Sequence, residues 1–170
     1  MKETYKNFLL NHPLLKGIGE KGIDDISSIA SFIYLKKGEI LFKEGSEGED
    51  LYIIVEGEAE ILKGKELVKI AELKEGAIIG ELSFLLKSGR TATLRASKDS
   101  VFFRIDGKLL EEKILKGEKP YIEILFSISR IIAERLSNMN LIVSEYLKKD
   151  KIEKDELNQL KENLKEGFIF

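Results

Sequence analysis

The stretch Ile79-Gly80-Glu81-Leu82-Ser83-Phe84-Leu85-Leu86-Lys87-Ser88-Gly89-Arg90-Thr91-Ala92-Thr93 is where the residue types could do chemistry. It holds a glycine–carboxylate pair, an apolar turn, and one arginine followed by small hydroxyl residues. These are the parts needed to hold a small phosphate ester that also carries a free hydroxyl. An arginine stays charged when buried and offers a planar fork of donors to the phosphate. A carboxylate, here Glu81, accepts a hydrogen bond from the hydroxyl. Gly80 lets the backbone approach a ligand closely. A short helix beginning at Leu82-Ser83-Phe84 would turn its first amides and its positive dipole end toward the anion. Thr91 adds a hydroxyl beside Arg90. A Glu and an Arg nine residues apart are also what two ordinary surface charges look like, so the surrounding elements must decide between the two readings.

The composition narrows the classes. At 170 residues the chain suits one domain with an appendage and can bury a core. Hydrophobic residues at 43% with charged residues at 34% indicate a globular chain, not a disordered one. A net charge of -2 argues against direct nucleic-acid binding by this chain. The absence of cysteine removes disulfides, cysteine–zinc sites and thiol nucleophiles. No signal-peptide pattern opens the sequence, and no uncharged apolar run is long enough to span a bilayer. The expectation is a soluble, cytoplasmic protein that does not engage a membrane.

The elements that would position the stretch change character twice along the chain. Residues 3–32 read as helical pieces interrupted by Pro13 and by Gly17, Gly19 and Gly22, with a one-faced helical pattern over Asp24–Phe32. From residue 33, short apolar runs alternate with Gly38, Gly45, Gly48, Gly57, Gly64 and Gly76. That rhythm predicts an antiparallel β-roll, jelly-roll-like, with a charged hairpin over Glu58–Ile70 and further strands over Thr91–Ala96 and Val101–Ile105. From residue 107 the pattern is helical again. A short helix closed by Gly117 is followed by a long one, roughly Tyr121–Lys149, with Pro120 at its start. Ile122, Leu125, Ile132, Leu136, Met139, Val143 and Tyr146 form a coiled-coil-like seam beside a second stripe of Ile124, Ile128, Ile131 and Ile142. One stripe can cover the sheets; the other calls for a second copy of the helix, or for the tail folding back on it. The fold class is therefore mainly β with flanking helices, ending in a long C-terminal helix. Three parts are expected: a β-roll with N-terminal helices over 1–120, a capping and dimerisation helix over 121–149, and a polar helical tail over 150–170 with Leu157, Leu160 and Leu164 on one face.

Gly80-Glu81-Leu82-Ser83 through Gly89-Arg90-Thr91-Ala92-Thr93-Leu94 resembles the phosphate-binding cassette of the cyclic-nucleotide-binding domain family, which includes bacterial catabolite activators, regulatory subunits of cyclic-nucleotide-dependent kinases, and nucleotide-gated channels. Lys37–Gly45 and Leu51–Glu58 are similar to the family's β-roll strands and glycine turns, and His12-Pro13-Leu14-Leu15 to its helical entry. The resemblance covers roughly residues 8–148. It implies that Glu81 binds a ribose 2′-hydroxyl, that Arg90 binds the cyclic phosphate, and that Gly80, Leu82 and Ser83 contribute backbone contacts. Thr91 falls near phosphate and base, and a threonine there occurs in both cAMP and cGMP binders. Gly89 replaces the proline often found before the arginine. Alignment of Ala133-Glu134-Arg135-Leu136 with catabolite activators puts Met139 and Asn140 nearest the base, although Met139 also reads as an ordinary seam residue.

Three functions follow from these observations. The first is a cyclic nucleotide sensor without catalysis or cofactor, taking cAMP or cGMP, dimerising through the long helix and acting on a protein effector. Catabolite activators carry a winged helix-turn-helix after this helix, and about twenty residues beyond Asp150 are too few for one; the chain would then signal through a partner or be a piece of a transcription regulator. The second is an interaction scaffold with a vestigial pocket. The third, a metal-dependent enzyme on a similar roll, needs clustered histidines, and His12 is the single histidine. No metal ligands and no catalytic residues are expected.

Overall fold

The computed structural model describes residues 3–149. The tail expected over 150–170, with Leu157, Leu160 and Leu164, lies outside the described residues. By contact density the chain divides into two compact units, Met1–Ile128 and Ser129–Phe170.

The first unit opens with α1 (Glu3–Asn11) and α2 (Gly19–Ser27). Eight strands follow: β1 (Ala30–Leu35), β2 (Ile40–Phe42), β3 (Leu51–Glu56), β4 (Glu58–Lys63), β5 (Val68–Lys74), β6 (Ile78–Ile79), β7 (Thr93–Ala96) and β8 (Ser100–Ile105). A one-and-a-half-turn helix, α3 (Glu81–Leu86), interrupts the strands between β6 and β7. Then come α4 (Gly107–Leu115) and α5 (Lys119–Lys149). The strands form two four-stranded antiparallel sheets, in the orders β1-β8-β3-β6 and β2-β7-β4-β5. This is the expected jelly-roll-like roll with a long C-terminal helix.

The sequence pattern explains the layers. β3 reads Leu-Tyr-Ile-Ile-Val, an unbroken apolar run, and a strand of that kind is buried on both faces. Tyr52 and Ile54 face the interior between the sheets, where Ala59, Ile79, Leu94 and Phe102 complete the core. Alternation puts Leu51, Ile53 and Val55 on the opposite face, and all three are buried. The helices supply further buried apolar residues: Leu9 from α1, Ile23 and Ile26 from α2, Leu110 from α4, and Tyr121, Ile124 and Ile128 from the start of α5. The outer face of β4, β5 and β7 carries charges: Glu60 lies 2.7 Å from Arg95, and Lys69 lies 2.6 Å from Glu72. Pairs on a solvent-facing sheet surface contribute up to about 1 kcal/mol each, so the apolar core decides the fold.

One expectation needs correction. The helical pattern over Asp24–Phe32 splits: α2 starts earlier, at Gly19, and ends at Ser27, and Ala30–Leu35 is a strand. The reason is non-local. β8 offers a free edge that β1 fills in register from Ala30↔Ile105 to Leu35↔Ser100, and Phe32 packs on Phe103 with ring centroids 5.2 Å apart. Similarly, the strand expected from Thr91 begins only at Thr93. β6 was not anticipated at all; two residues are too few to show a period.

His12 ties the N-terminal helices to the roll. It is buried; its Nδ1 accepts the Leu14 N–H at 3.2 Å, and its Nε2 donates to the Gly76 carbonyl at 2.9 Å. Burial lowers its pKa below the usual histidine value, and the Gly76 carbonyl offsets this only in part. A folded pKa below the unfolded one gives stability that is complete above the unfolded value, about 6.5, and is lost as pH falls below it. The denaturant midpoint is therefore expected to drop between pH 7.5 and pH 5.5. His12→Gln should flatten that drop because no other histidine is present. An unchanged pH slope in the variant would assign the effect elsewhere.

Candidate functional site

The site lies within the first unit, where the β6–α3 junction meets the chain just before β7. Gly80 is the N-cap of α3 and adopts φ +94°, a left-handed conformation that favours glycine. This turn swings the chain from β6 into α3 and places Glu81 and Ser83, both buried, in the helix's first turn. The first amides of any helix have no intrahelical acceptor; in α3 those are the amides of Glu81, Leu82 and Ser83. The Ser83 hydroxyl donates to the Gly89 carbonyl at 3.4 Å, closing the loop between α3 and Arg90.

Arg90 is 3% exposed, an extreme value for a cation. Backbone bonds on both sides fix its main chain: its N–H donates to the Ser46 carbonyl at 2.8 Å, and its carbonyl accepts the Gly45 N–H at 2.7 Å. Its guanidinium carbon stacks 4.5 Å from the Phe42 ring centroid and 5.4 Å from that of Tyr52. One terminal nitrogen, Nη1, donates to the Asp50 carbonyl at 3.0 Å. The buried Nε–H has no hydrogen-bond partner among the described residues. A buried cation with an unmatched donor is costly unless something anionic meets it. A Cβ added at Gly80 would sit 2.7 Å from Nη1, and one at Gly48 2.9 Å from Nη2. Both glycines therefore leave room for the guanidinium.

Asp50 joins this arrangement to the helices that follow the roll. Its carbonyl takes Arg90, while its carboxylate accepts from Arg104 Nε at 2.8 Å and from the Gly107 N–H at 3.1 Å, at the first residue of α4. Burial pushes the Asp50 carboxyl up, but the Arg104 bond, the Gly107 amide, and the charges of Arg104 and Arg90 outweigh it and hold it below the usual carboxylate range. Asp106 caps α4 by accepting the Leu109 N–H at 3.0 Å. Lys87, just past the end of α3, reaches Glu49 at 2.8 Å and Glu111 of α4 at 2.7 Å.

A model of the cyclic nucleotide-binding domain matches residues 32–116, half of the chain, and that segment contains the whole arrangement just described. The chain belongs to the cyclic nucleotide-binding domain family. Among its relatives, a lysophospholipase of Neurospora crassa is 35% identical over 109 residues, covering 62% of this chain and 7% of that protein. A cAMP-dependent protein kinase regulatory subunit of Mycosarcoma maydis is 33% identical over 100 residues, covering 56% of this chain and 19% of the subunit. The chain thus spans a small fraction of these curated relatives. The solved structure of a cyclic nucleotide-binding domain from Methylobacillus flagellatus shares the fold at TM-score 0.73 with 22% identity, covering 87% of each chain.

Gly80, Glu81, Leu82 and Ser83 form the N-cap and first turn of α3, and the Cβ position of Gly80 lies against Arg90. The Leu82 side chain is 42% exposed, so its position in the site rests on its backbone. Thr91 is exposed and occupies a bend ahead of β7. Met139 is exposed and Asn140 half-buried on the part of α5 that belongs to the second unit. Sequence reasoning missed Asp50, the Phe42 and Tyr52 rings, and Gly48. The run Gly45–Asp50 showed only as a turn between strands; its two glycines and three acidic residues in six positions were the available signal. Among the described residues no group of His, Asp and Glu is placed to hold a metal ion, and no helix is long and apolar enough to cross a membrane.

Proposed function

We propose that this chain is a ligand-sensing module that binds cAMP or cGMP, carries no catalysis of its own, and passes the bound state to a protein effector in the cytoplasm. The observation that carries the reading is Arg90: a buried guanidinium, held at one end by Asp50, with an N–H left for an anion. The cyclic phosphate supplies that anion, and the first amides of α3 add donors. Glu81 accepts the ribose 2′-hydroxyl, and Gly80, Leu82 and Ser83 contribute backbone contacts. Thr91 lies on the phosphate and base side. The bound state is passed on as a shift between two populated states. Homodimerisation through α5 is supported by Leu136, Met139, Leu141 and Ile142, each more than half exposed on that helix.

Titration calorimetry with cAMP and cGMP tests the ligand. Binding of at least one is expected, and the 2′-deoxy analogue should bind about tenfold or more weakly because it cannot make the hydrogen bond from the 2′-hydroxyl to Glu81. Failure of both cyclic nucleotides at millimolar concentration favours the vestigial-pocket scaffold instead. Sedimentation with and without ligand tests the dimer; a monomer in both states removes α5 as the interface.

A further inference from the structure

Thr91 sits where the β ladder has not yet begun. β7 pairs with β4 from Ala59↔Ala96 through Leu62↔Thr93, and the further step that would meet the Thr91 carbonyl with a ladder N–H would bring Gly64 opposite Thr91. That step is absent: residues 91 and 92 bend away, and β7 starts at Thr93. The Thr91 carbonyl is instead met by the Lys63 ammonium group, reaching from the last residue of β4. Lys63 is itself held by Glu44, whose carboxylate lies 2.6 Å away and whose other oxygen accepts the Gly64 N–H at 2.8 Å. The backbone N–H of Glu44 donates to the buried Thr93 hydroxyl at 2.9 Å. The adjoining Gly45 and Ser46 carry the backbone bonds that fix Arg90. One charged pair therefore joins three segments: the loop that fixes Arg90, the β4–β5 turn, and the bend that carries Thr91.

We propose that Lys63 is a positioning residue for the ligand site: its side chain stands in for the missing ladder donor, fixes the Thr91 carbonyl, and so sets where Arg90 and Thr91 present themselves to ligand. This rests on the cyclic-nucleotide reading above. The pair is half-exposed, with Lys63 51% and Glu44 33% accessible, so its removal costs little global stability. Its effect should appear in affinity instead.

The test uses the full chain and three variants, titrated with whichever of cAMP and cGMP the wild type binds. Lys63→Met should lower affinity roughly fivefold, within a range of about three- to twentyfold. Its ligand-free melting temperature should stay within about 2 °C of wild type. Lys63→Arg, which keeps a donor of similar reach, should recover most of the loss. Glu44→Gln separates positioning from simple attraction. If Lys63 acted on the anionic ligand only through its charge, removing the neighbouring carboxylate would raise affinity; positioning requires it to fall. Hydrogen exchange on the ligand-free protein supplies a second readout, with amides 91–93 exchanging faster in Lys63→Met. Wild-type affinity in Lys63→Met, no recovery in Lys63→Arg, or tighter binding in Glu44→Gln overturns the assignment while leaving the ligand reading intact. A wild type that binds neither nucleotide removes both.

Discussion

Arg90→Ala should lower cyclic nucleotide affinity by about 100-fold or more. Truncating one partner of a buried, hydrogen-bonded charge pair costs about 2–5 kcal/mol, and Arg90 is the buried cation of this site. The loss has two parts. The phosphate forfeits a charge-assisted donor in a place screened from water by Phe42 and Tyr52. It is then left without neutralisation where attraction had been strongest. Arg90→Lys keeps the charge but not the fork. One ammonium on a thinner stem cannot span the Asp50 carbonyl and the ligand as the guanidinium does, so an intermediate loss is expected. Calorimetry reads both variants. Ligand-free stability should change far less than affinity, because lost ring stacking is offset by removal of a buried donor that has no partner among the described residues. Equal affinity in wild type and Arg90→Ala would displace the site from this residue altogether.

Gly80→Ala should cost about 2–4 kcal/mol of stability and weaken ligand binding at the same time. Two independent penalties meet there. The backbone sits at φ +94°, and the added Cβ would lie 2.4 Å from the Asp50 carbonyl oxygen and 2.7 Å from Arg90 Nη1. The atoms forced to move are the same two that hold the guanidinium in place, so relaxation is bound to disturb the site. Gly38→Ala is the matched control. It has a similar φ of +91° but open space around the new methyl, and should cost only about 1 kcal/mol with no loss of affinity. Denaturant unfolding and calorimetry on both proteins separate backbone strain from the clash. If the two variants behave alike, the close approach at Gly80 carries no weight.

The contrast between these positions shows what can be read along the chain and what cannot. Glycine turns between short apolar runs announce an antiparallel roll because a strand's alternation and a turn's positive φ are properties of a few consecutive residues. The same holds for the cassette: Gly80, Glu81 and Arg90 lie within eleven positions, and a helix start followed by an arginine is a local design. Asp24–Phe32 failed for the opposite reason. Ile26, Ile29 and Ala30 recur at helical spacing, but a strand edge on β8, about seventy residues away, claims the segment from Ala30 onward.

The sequence by itself determined the residue types that can meet a phosphate and a hydroxyl, their order, and the roll and long helix around them. Tertiary structure decided that Arg90 is buried against Phe42 and Tyr52, that its fixed partner is the Asp50 carbonyl forty positions away, and that Lys63 holds Thr91. A backbone carbonyl carries no signature in the sequence, since every residue has one. Only the pairing of strands brings a particular carbonyl to a particular cation, and pairing is set by the packing of the whole sheet. That is why the cation could be named from its neighbours in the chain, while the groups that fix its position are visible only in the folded roll.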